Sequence, residues 1–452
     1  MLFFELLQIA IGNRNRFSQS PTEGEWRELF ALAQKQAMVG IAFRGVEQLP
    51  ETQRPPKALL MQWYMATERI KAMNANLDRK ALAVANKFLD DGFPGVILKG
   101  QGIAQLYLIN ENADAKGASV ATAARSISAA CDEGRFIFPE ECASAPLGLS
   151  SPRSMLKHSC KSLRPCTSGV LVLSPTDSHE SAQISQVALP LLASGVSAEG
   201  SQLTAHSSKQ TLSPYRTPGD IDIWLMGERE EILGYVRRHV PNCKPVYHHV
   251  DFPVVKDVDI EVHFTPTWMN SPVTNRRLQK FFREQSSFSF SSSSKALPTP
   301  DLAFNRVYIL VHIYRHLFAE GIGLRQLLDY YFVLCQGFTE EEREETMRAL
   351  RALKMQRFAT AVMWVLQQVF GMDSRYLLTA PNEQEGRFLL SEIMLAGNFG
   401  QYDERLQHVK GESRLHWGLR KVVRNFRFVR SYPSEVLWSP LFKLWQFFFF
   451  KG

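Results

Sequence analysis

"YRTPGDIDIWLMG" occupies residues 215–227 and sets two aspartates, Asp220 and Asp222, inside a run of strand-forming apolar residues. A strand alternates its faces, so Ile221 and Ile223 point one way and the two carboxylates the other. Two acids on one face repel each other and lower the strand propensity. Either that face is merely wet, or a cation lies between the carboxylates.

A second segment repeats the pattern. In "DVDIEVHF" (257–264), Val258, Ile260, Val262 and Phe264 form one face, and Asp259, Glu261 and His263 the other. Placed side by side, the two strands gather a cluster of three acids: Asp220 and Asp222 with a carboxylate of the second strand, Glu261 or Asp259. Three uncompensated carboxylates at one sheet edge are strongly destabilising unless protonated or metal-bound. Two divalent ions about 4 Å apart, shared by carboxylates, are the usual arrangement in phosphoryl and nucleotidyl transfer. Magnesium suits such hard oxygen donors, with nucleotide phosphates completing its octahedron. His263 reads more readily as a hydrogen-bonding neighbour of the acids than as a ligand. On charge repulsion alone, Asp222→Asn is expected to leave the melting temperature unchanged or raised.

The flanks extend the reading. "GVILKG" (95–100) is a short buried strand ending in a glycine turn, and "GIAQLYL" (102–108) reads as the start of a helix. A strand, a glycine turn, a helix, Asp-x-Asp between apolar residues and a third acid on a later strand resemble the polymerase-β-like nucleotidyltransferases. The closer likeness is to a bacterial nucleotidyltransferase family whose motif reads LKG…A…Y…R…GDIDL. "LKGQGIAQLY" (98–107) and "PYRTPGDIDIW" (214–224) carry it, and "VHIYRHLFAEGIGLRQLLDYY" (311–331), "AGNFGQYD" (396–403) and "SYPSEVLWSP" (431–440) resemble the family's helical part.

The resemblance implies a Mg2+-dependent transfer of a nucleoside monophosphate from an NTP to a hydroxyl or phosphate acceptor. The acceptor, whether small molecule, protein or tRNA, stays open. It implies that Asp220 and Asp222 hold two magnesium ions and that Glu261 assists the one activating the acceptor. Gly100 would let the backbone approach the triphosphate, and Lys99 would add a point charge. Arg216 and Gly219 would shape the turn into the catalytic strand. Arg325 either joins Asp329 in a helix-surface pair or walls the cleft. His312 and His316, four residues apart, lack the glutamate of a zinc-protease motif and read as polar residues near the nucleotide or an interhelical hydrogen-bond set.

Between Tyr107 and Tyr215 the pattern breaks. Phe136 and Phe138 are the segment's only aromatics, serine is enriched, and periodicity is lost. Such a composition buries too little apolar surface to offset ordering. Residues 109–213 therefore read as an insertion of about a hundred residues, because their removal rejoins the two motif halves at the family's spacing. It leaves an alternative: a catalytically inactive nucleotidyltransferase-fold binding protein whose core the insertion has split.

The expected class is α+β: a small mixed sheet, a helical lead and an all-helical C-terminal region. The expected organisation is a helical region 1–91, a core 92–282 carrying the insertion, a linker 283–300 and a helical domain 301–452. The 452 residues carry 45% hydrophobic and 21% charged residues, as soluble globular chains do. A formal charge of +7 suits a phosphate-rich partner without choosing one. The run "RLHWGLRKVVRNFRFVR" (414–430), with six basic residues, is either a weak nucleic-acid or membrane-surface contact or a solvated helix. The six cysteines form no CxxC pair, so a reducing, cytoplasmic setting is expected. No signal peptide or membrane span is expected either.

Overall fold

The computed structural model describes residues 1–110, 209–285, 296–406 and 412–449. The insertion body and Cys131, Cys142, Cys160 and Cys166 lie outside the described residues, as does part of the 283–300 linker.

Three helices open the chain: α1 (Leu2–Ala10), α2 (Glu23–Lys35) and α3 (Val39–Gln48). α2 starts at a capping box formed by Thr22 and Glu25. The long α4 (Lys57–Asp90) ends beside Gly92, whose φ of +85° a side chain would disfavour. Then come β1 (Gly95–Ile97), a single turn α5 (Gln101–Ala104) and β2 (Leu108–Asn110). The helix expected from "GIAQLYL" is thus one turn long. Its chain continues into a two-stranded antiparallel ladder between β2 and β3 (Lys209–Thr211).

β4 (Ile221–Leu225), α6 (Arg229–His239), β5 (His249–Asp251) and β6 (Ile260–His263) complete the core. The main sheet has the order β1-β4-β6-β5. β4 and β6 run parallel, whereas β1 and β5 run antiparallel to their neighbours. The alternation of β4 is obeyed. Ile221 and Ile223, with Val250, Ile260 and Val262, are buried against α4 and α6 through Leu77, Val84, Phe88, Ile232 and Val236. The opposite face carries Asp222 and Trp224, and Trp224 stacks on Phe304 at 5.7 Å between centroids.

That second face meets helices. α7 is Pro272–Glu284, α8 Leu302–Ala319, α9 Leu324–Cys335, α10 Glu340–Ala352, α11 Gln356–Phe370 and α12 Glu383–Ala396. α13 (Arg414–Phe426) and α14 (Pro433–Phe449) follow. One apolar cluster runs from Phe3 in α1 through Tyr330 and Phe370 to Val436, so the helical lead and the C-terminal helices share a core. Polar ties cross it: Asn13 donates to the Phe370 carbonyl at 2.6 Å, and Gln36 to the Ile393 carbonyl at 3.1 Å. Among the described residues, no helix is long and apolar enough to cross a membrane.

The insertion boundary shifts inward from the sequence expectation of 109–213. Ile109 and Leu212 are buried in the main core, and the Leu212 amide donates to the Tyr107 carbonyl at 2.7 Å. Asn110 and Lys209 face each other as the last pair of the β2–β3 ladder, which lies outside the main sheet. A composition-based boundary misses this, because a three-residue strand leaves little periodic signal.

Candidate active site

The approach to β4 is held by distant elements. Asn74 of α4 donates to the carbonyls of Pro214 and Arg216, at 2.9 and 2.6 Å. Thr217 donates to the Ala37 carbonyl at 2.7 Å, and Arg325 to the carbonyls of Thr217 and Pro218, both at 3.1 Å. The Arg216 guanidinium grips Asp329 with two bonds of 2.7 and 2.8 Å, and Tyr107 donates to the same carboxylate at 2.6 Å. All three side chains are buried. Arg325 and Asp329 therefore do not form a helix-surface pair; each reaches the chain that delivers Asp220. A Cβ on Gly219 would stand at an ordinary contact distance, 3.4 Å, from the Arg325 guanidinium.

β1 brings the glycine turn to the same place. Ile97 pairs with Ile223, and the Leu98 amide donates to the Asp222 carbonyl at 2.9 Å. Gly100 adopts φ +60°, ψ −114°, beside the Asp220 carbonyl. A Cβ there would meet that oxygen at an ordinary 3.5 Å, so the turn needs glycine for its dihedral and not for space.

On β4 and its neighbour, Asp222 lies opposite Glu261 in the parallel register. Asp222 is 1% exposed, Glu261 17% and Asp220 26%. His263 stands between two of the acids, its Nε2 3.0 Å from Asp222 and 3.4 Å from Glu261. The ligand atoms of Asp222, Glu261 and His263 lie within 4.8 Å of one another. Asp220 joins the group through Lys99, whose ammonium is 3.3 Å from Asp220 and 2.9 Å from Asp222. Asp259 gives β4 its backbone carbonyl, accepting from the Ile221 amide at 2.9 Å, and is absent from the ligand groups among the described residues.

The three acids are thus not uncompensated, and this is what the sequence reading lacked. Lys99 and His263 balance them from within. Burial works against the Lys99 ammonium, but Asp220, Asp222 and Glu261 outweigh it and raise its pKa. Burial likewise opposes charge on His263, yet its bonds to Asp222 and Glu261 raise it to about 9. For Glu261, burial would raise the carboxyl, but the His263 bond and the neighbouring His249 bring it down to about 2.

The donors suit a divalent cation. They are hard carboxylate oxygens on one sheet face, and a lysine ammonium already rests against both aspartates where positive charge is favoured. The buried Asp222 Oδ2 meets that ammonium without accepting a hydrogen bond of good geometry. Beside the acids lies a cleft lined by Lys99, Gly100, Arg216, Gly219, Asp220 and Arg325, and also by His312 and Phe399. The His312 and His316 rings pack 4.4 Å apart and belong to no three-ligand group among the described residues.

Two further histidines lie at the start of β5, His248 just before it and His249 as its first residue. The available signal was their period: His249 and Asp251 alternate as Glu261 and His263 do, and the strands pair with these residues opposite.

Comparison with known proteins agrees with this geometry. No curated protein and no solved structure matches the chain. A family model described as an uncharacterised nucleotidyltransferase matches residues 22–109 and 213–371, more than half of the chain, and breaks off across the insertion. The match covers the Gly100 turn, both acidic strands and the helices through α11, and the chain belongs to this nucleotidyltransferase family.

Proposed function

We propose that the protein transfers a nucleoside monophosphate from an NTP to a hydroxyl or phosphate acceptor with the help of Mg2+. One observation carries the reading: Asp222 and Glu261 sit opposite each other in register, on the sheet face shared with Asp220 and next to the Gly100 turn. In this reading Asp220, Asp222 and Glu261 hold two magnesium ions. Bound there, the ions would activate the acceptor oxygen and neutralise the charge developing on the leaving group. The acceptor oxygen bonds to the α-phosphorus, the bond to the β-phosphate oxygen breaks, pyrophosphate leaves with the electron pair, and the acceptor's proton passes to solvent.

The chain's own residues position these parts. Arg216, Gly219 and Arg325 fix the chain entering β4 and so the place of Asp220. Gly100 offers its backbone to the triphosphate. Lys99, which rests against both aspartates, would supply a positive charge for the phosphates. A cytoplasmic setting suits such a reaction. The inactive alternative rested on the insertion separating Gly100 from Asp220, and the Leu98–Asp222 bond and the β1–β4 ladder favour the active reading instead.

The test incubates the full chain with labelled NTPs, Mg2+ and cell lysate and follows the label. Mg2+-dependent incorporation, abolished in Asp222→Asn and Asp220→Asn variants that remain folded, is the expected result. Incorporation that persists in both variants, or none with any NTP, overturns the proposal.

A further inference from the structure

Next to the catalytic acids the sheet holds a nitrogen-rich donor set for which nucleotidyl transfer has no use. β5 and β6 place His249 opposite His263 and Asp251 opposite Glu261. Side chains two residues apart share a face, so these four residues form a square on the face that carries Asp222. His248, just before β5, brings its ring to 4.3 Å from that of His249 and 5.3 Å from that of His263. The ligating atoms of His248, His249 and His263 all lie within 4.8 Å of one another, and those of His249, Asp251 and Glu261 form a second such group.

A stack of histidines can be simple packing, and the 2.9 Å separation of His248 Nε2 and His249 Nδ1 fits a hydrogen bond between neutral rings. One observation goes further. Glu261 Oε2 lies 3.4 Å from His249 Nδ1 and 3.4 Å from His263 Nε2, so imidazole nitrogens and a carboxylate oxygen converge on one point. Asp251, 72% exposed beside the partly buried His249, marks a way in from solvent.

We propose that His248, His249 and His263, with Glu261, form a transition-metal site of the zinc or cobalt class, separate from the aspartate pair Asp220 and Asp222. Imidazole nitrogens favour such metals, whereas Mg2+ favours oxygen. Glu261 borders both sites, so an ion among the histidines would fix the third catalytic acid and tie β5 to β6. The site shares Glu261 with the aspartate pair but does not depend on the transfer reaction.

The experiment uses the full chain, stripped with chelator and titrated with Co2+ in excess Mg2+. Visible ligand-field bands saturating at one ion per chain are expected. They should be lost in the His248→Ala/His249→Ala double variant and retained in Asp220→Asn. No saturable bands, or bands that survive the double variant but vanish in Asp220→Asn, would overturn the site. X-ray absorption of the cobalt-loaded parent needs no variant: imidazole scattering supports the site, and a shell of oxygen alone refutes it. Because neither readout measures transfer, failure here leaves the nucleotidyltransferase reading intact, and failure of that reading leaves the metal result standing.

Discussion

Lys99 changes what a mutation at the catalytic strand should do. With the two aspartates balanced by its ammonium and by His263, Asp222→Asn removes a partner from two buried or part-buried cations and no longer simply relieves repulsion. The metal-free Asp222→Asn variant should therefore melt below the parent, by an amount matching about 1–3 kcal/mol once partial solvent exposure is allowed for. This reverses the sign expected from the carboxylates alone. Lys99→Met should show the complement: lower stability in chelator, and a larger gain on adding Mg2+ than the parent shows, because the ion no longer competes with an ammonium. Thermal melts with and without Mg2+ check both, and an unshifted Lys99→Met in chelator would contradict the counter-charge role. Asp329 presents a deeper case. It accepts from Arg216 and Tyr107 in a dry setting, so Asp329→Asn should cost about 3–5 kcal/mol in urea unfolding. Arg216→Lys should not rescue it, because an ammonium cannot reproduce the paired bonds. The alternation around Asp220 was readable as it stood. The counter-charge was not, because Lys99 lies 121 residues from Asp220 and only the fold joins them.

At the scale of elements, the loop that delivers Asp220 depends on a close approach. A Cβ on Gly40 of α3 would stand 2.3 Å from the Tyr215 carbonyl oxygen, so Gly40→Ala must push the helix and loop apart. A loss of about 1–3 kcal/mol is expected, with a fall in transfer rate, although residue 40 lies far from the acids in sequence. α13 shows the opposite of a solvated basic helix. Arg420 pairs with Glu412, Arg424 lies 3.4 Å from Asp403, and Arg427 pairs with Glu392, while Leu419, Val422, Val423 and Phe426 face outward. Asp403 anchors this inward face through Arg405 and Arg424. Burial opposes its ionisation, yet the Arg405 bonds and the two positive charges outweigh that and hold its pKa below the ordinary value. Its contribution is therefore present above the ordinary aspartate pKa and is lost as pH falls through the lowered one. Asp403→Asn should be destabilised near pH 7, with the gap to the parent closing on acidification below about pH 4. Melts across that range test it. Long periodic helices such as α4, α11 and α12 were legible because each repeats one apolar face many times. α7 was not anticipated, being largely polar between Pro272 and Glu284, whereas α14 falls within the expected helical region although it carries Pro440 inside it. β5 is three residues long, and the chemistry of its two histidines emerges only when β6 lies beside it.

The molecule as a whole keeps the Gly100 turn and the Asp220 strand together across the insertion through pairings on either side of it. β1 pairs directly with β4, so the Gly100 turn and Asp220 are joined by sheet hydrogen bonds whatever lies between them in sequence. The β2–β3 ladder then brings Asn110 and Lys209 opposite each other, the geometry of a hairpin stem. Composition located the insertion but set its edges too wide, since a change in residue usage cannot distinguish the first ordered pair of a ladder from the excursion beyond it. Deleting 109–213, as composition suggests, would remove the buried Ile109 and Leu212 together with the bond from Leu212 to Tyr107, and should destabilise the fold. Replacing only residues 111–208 with Asn-Gly keeps those contacts and supplies a two-residue turn whose twist suits an antiparallel stem. Closing the shorter loop costs less entropy, roughly 0.6 kcal/mol less for each halving of its length. The shortened chain should therefore be soluble, unfold in one cooperative transition at a midpoint no lower than the parent's, and retain Mg2+-dependent transfer. A midpoint well below the parent's would show that residues 111–208 stabilise the fold. A stable but inactive variant would instead place part of the acceptor site within them.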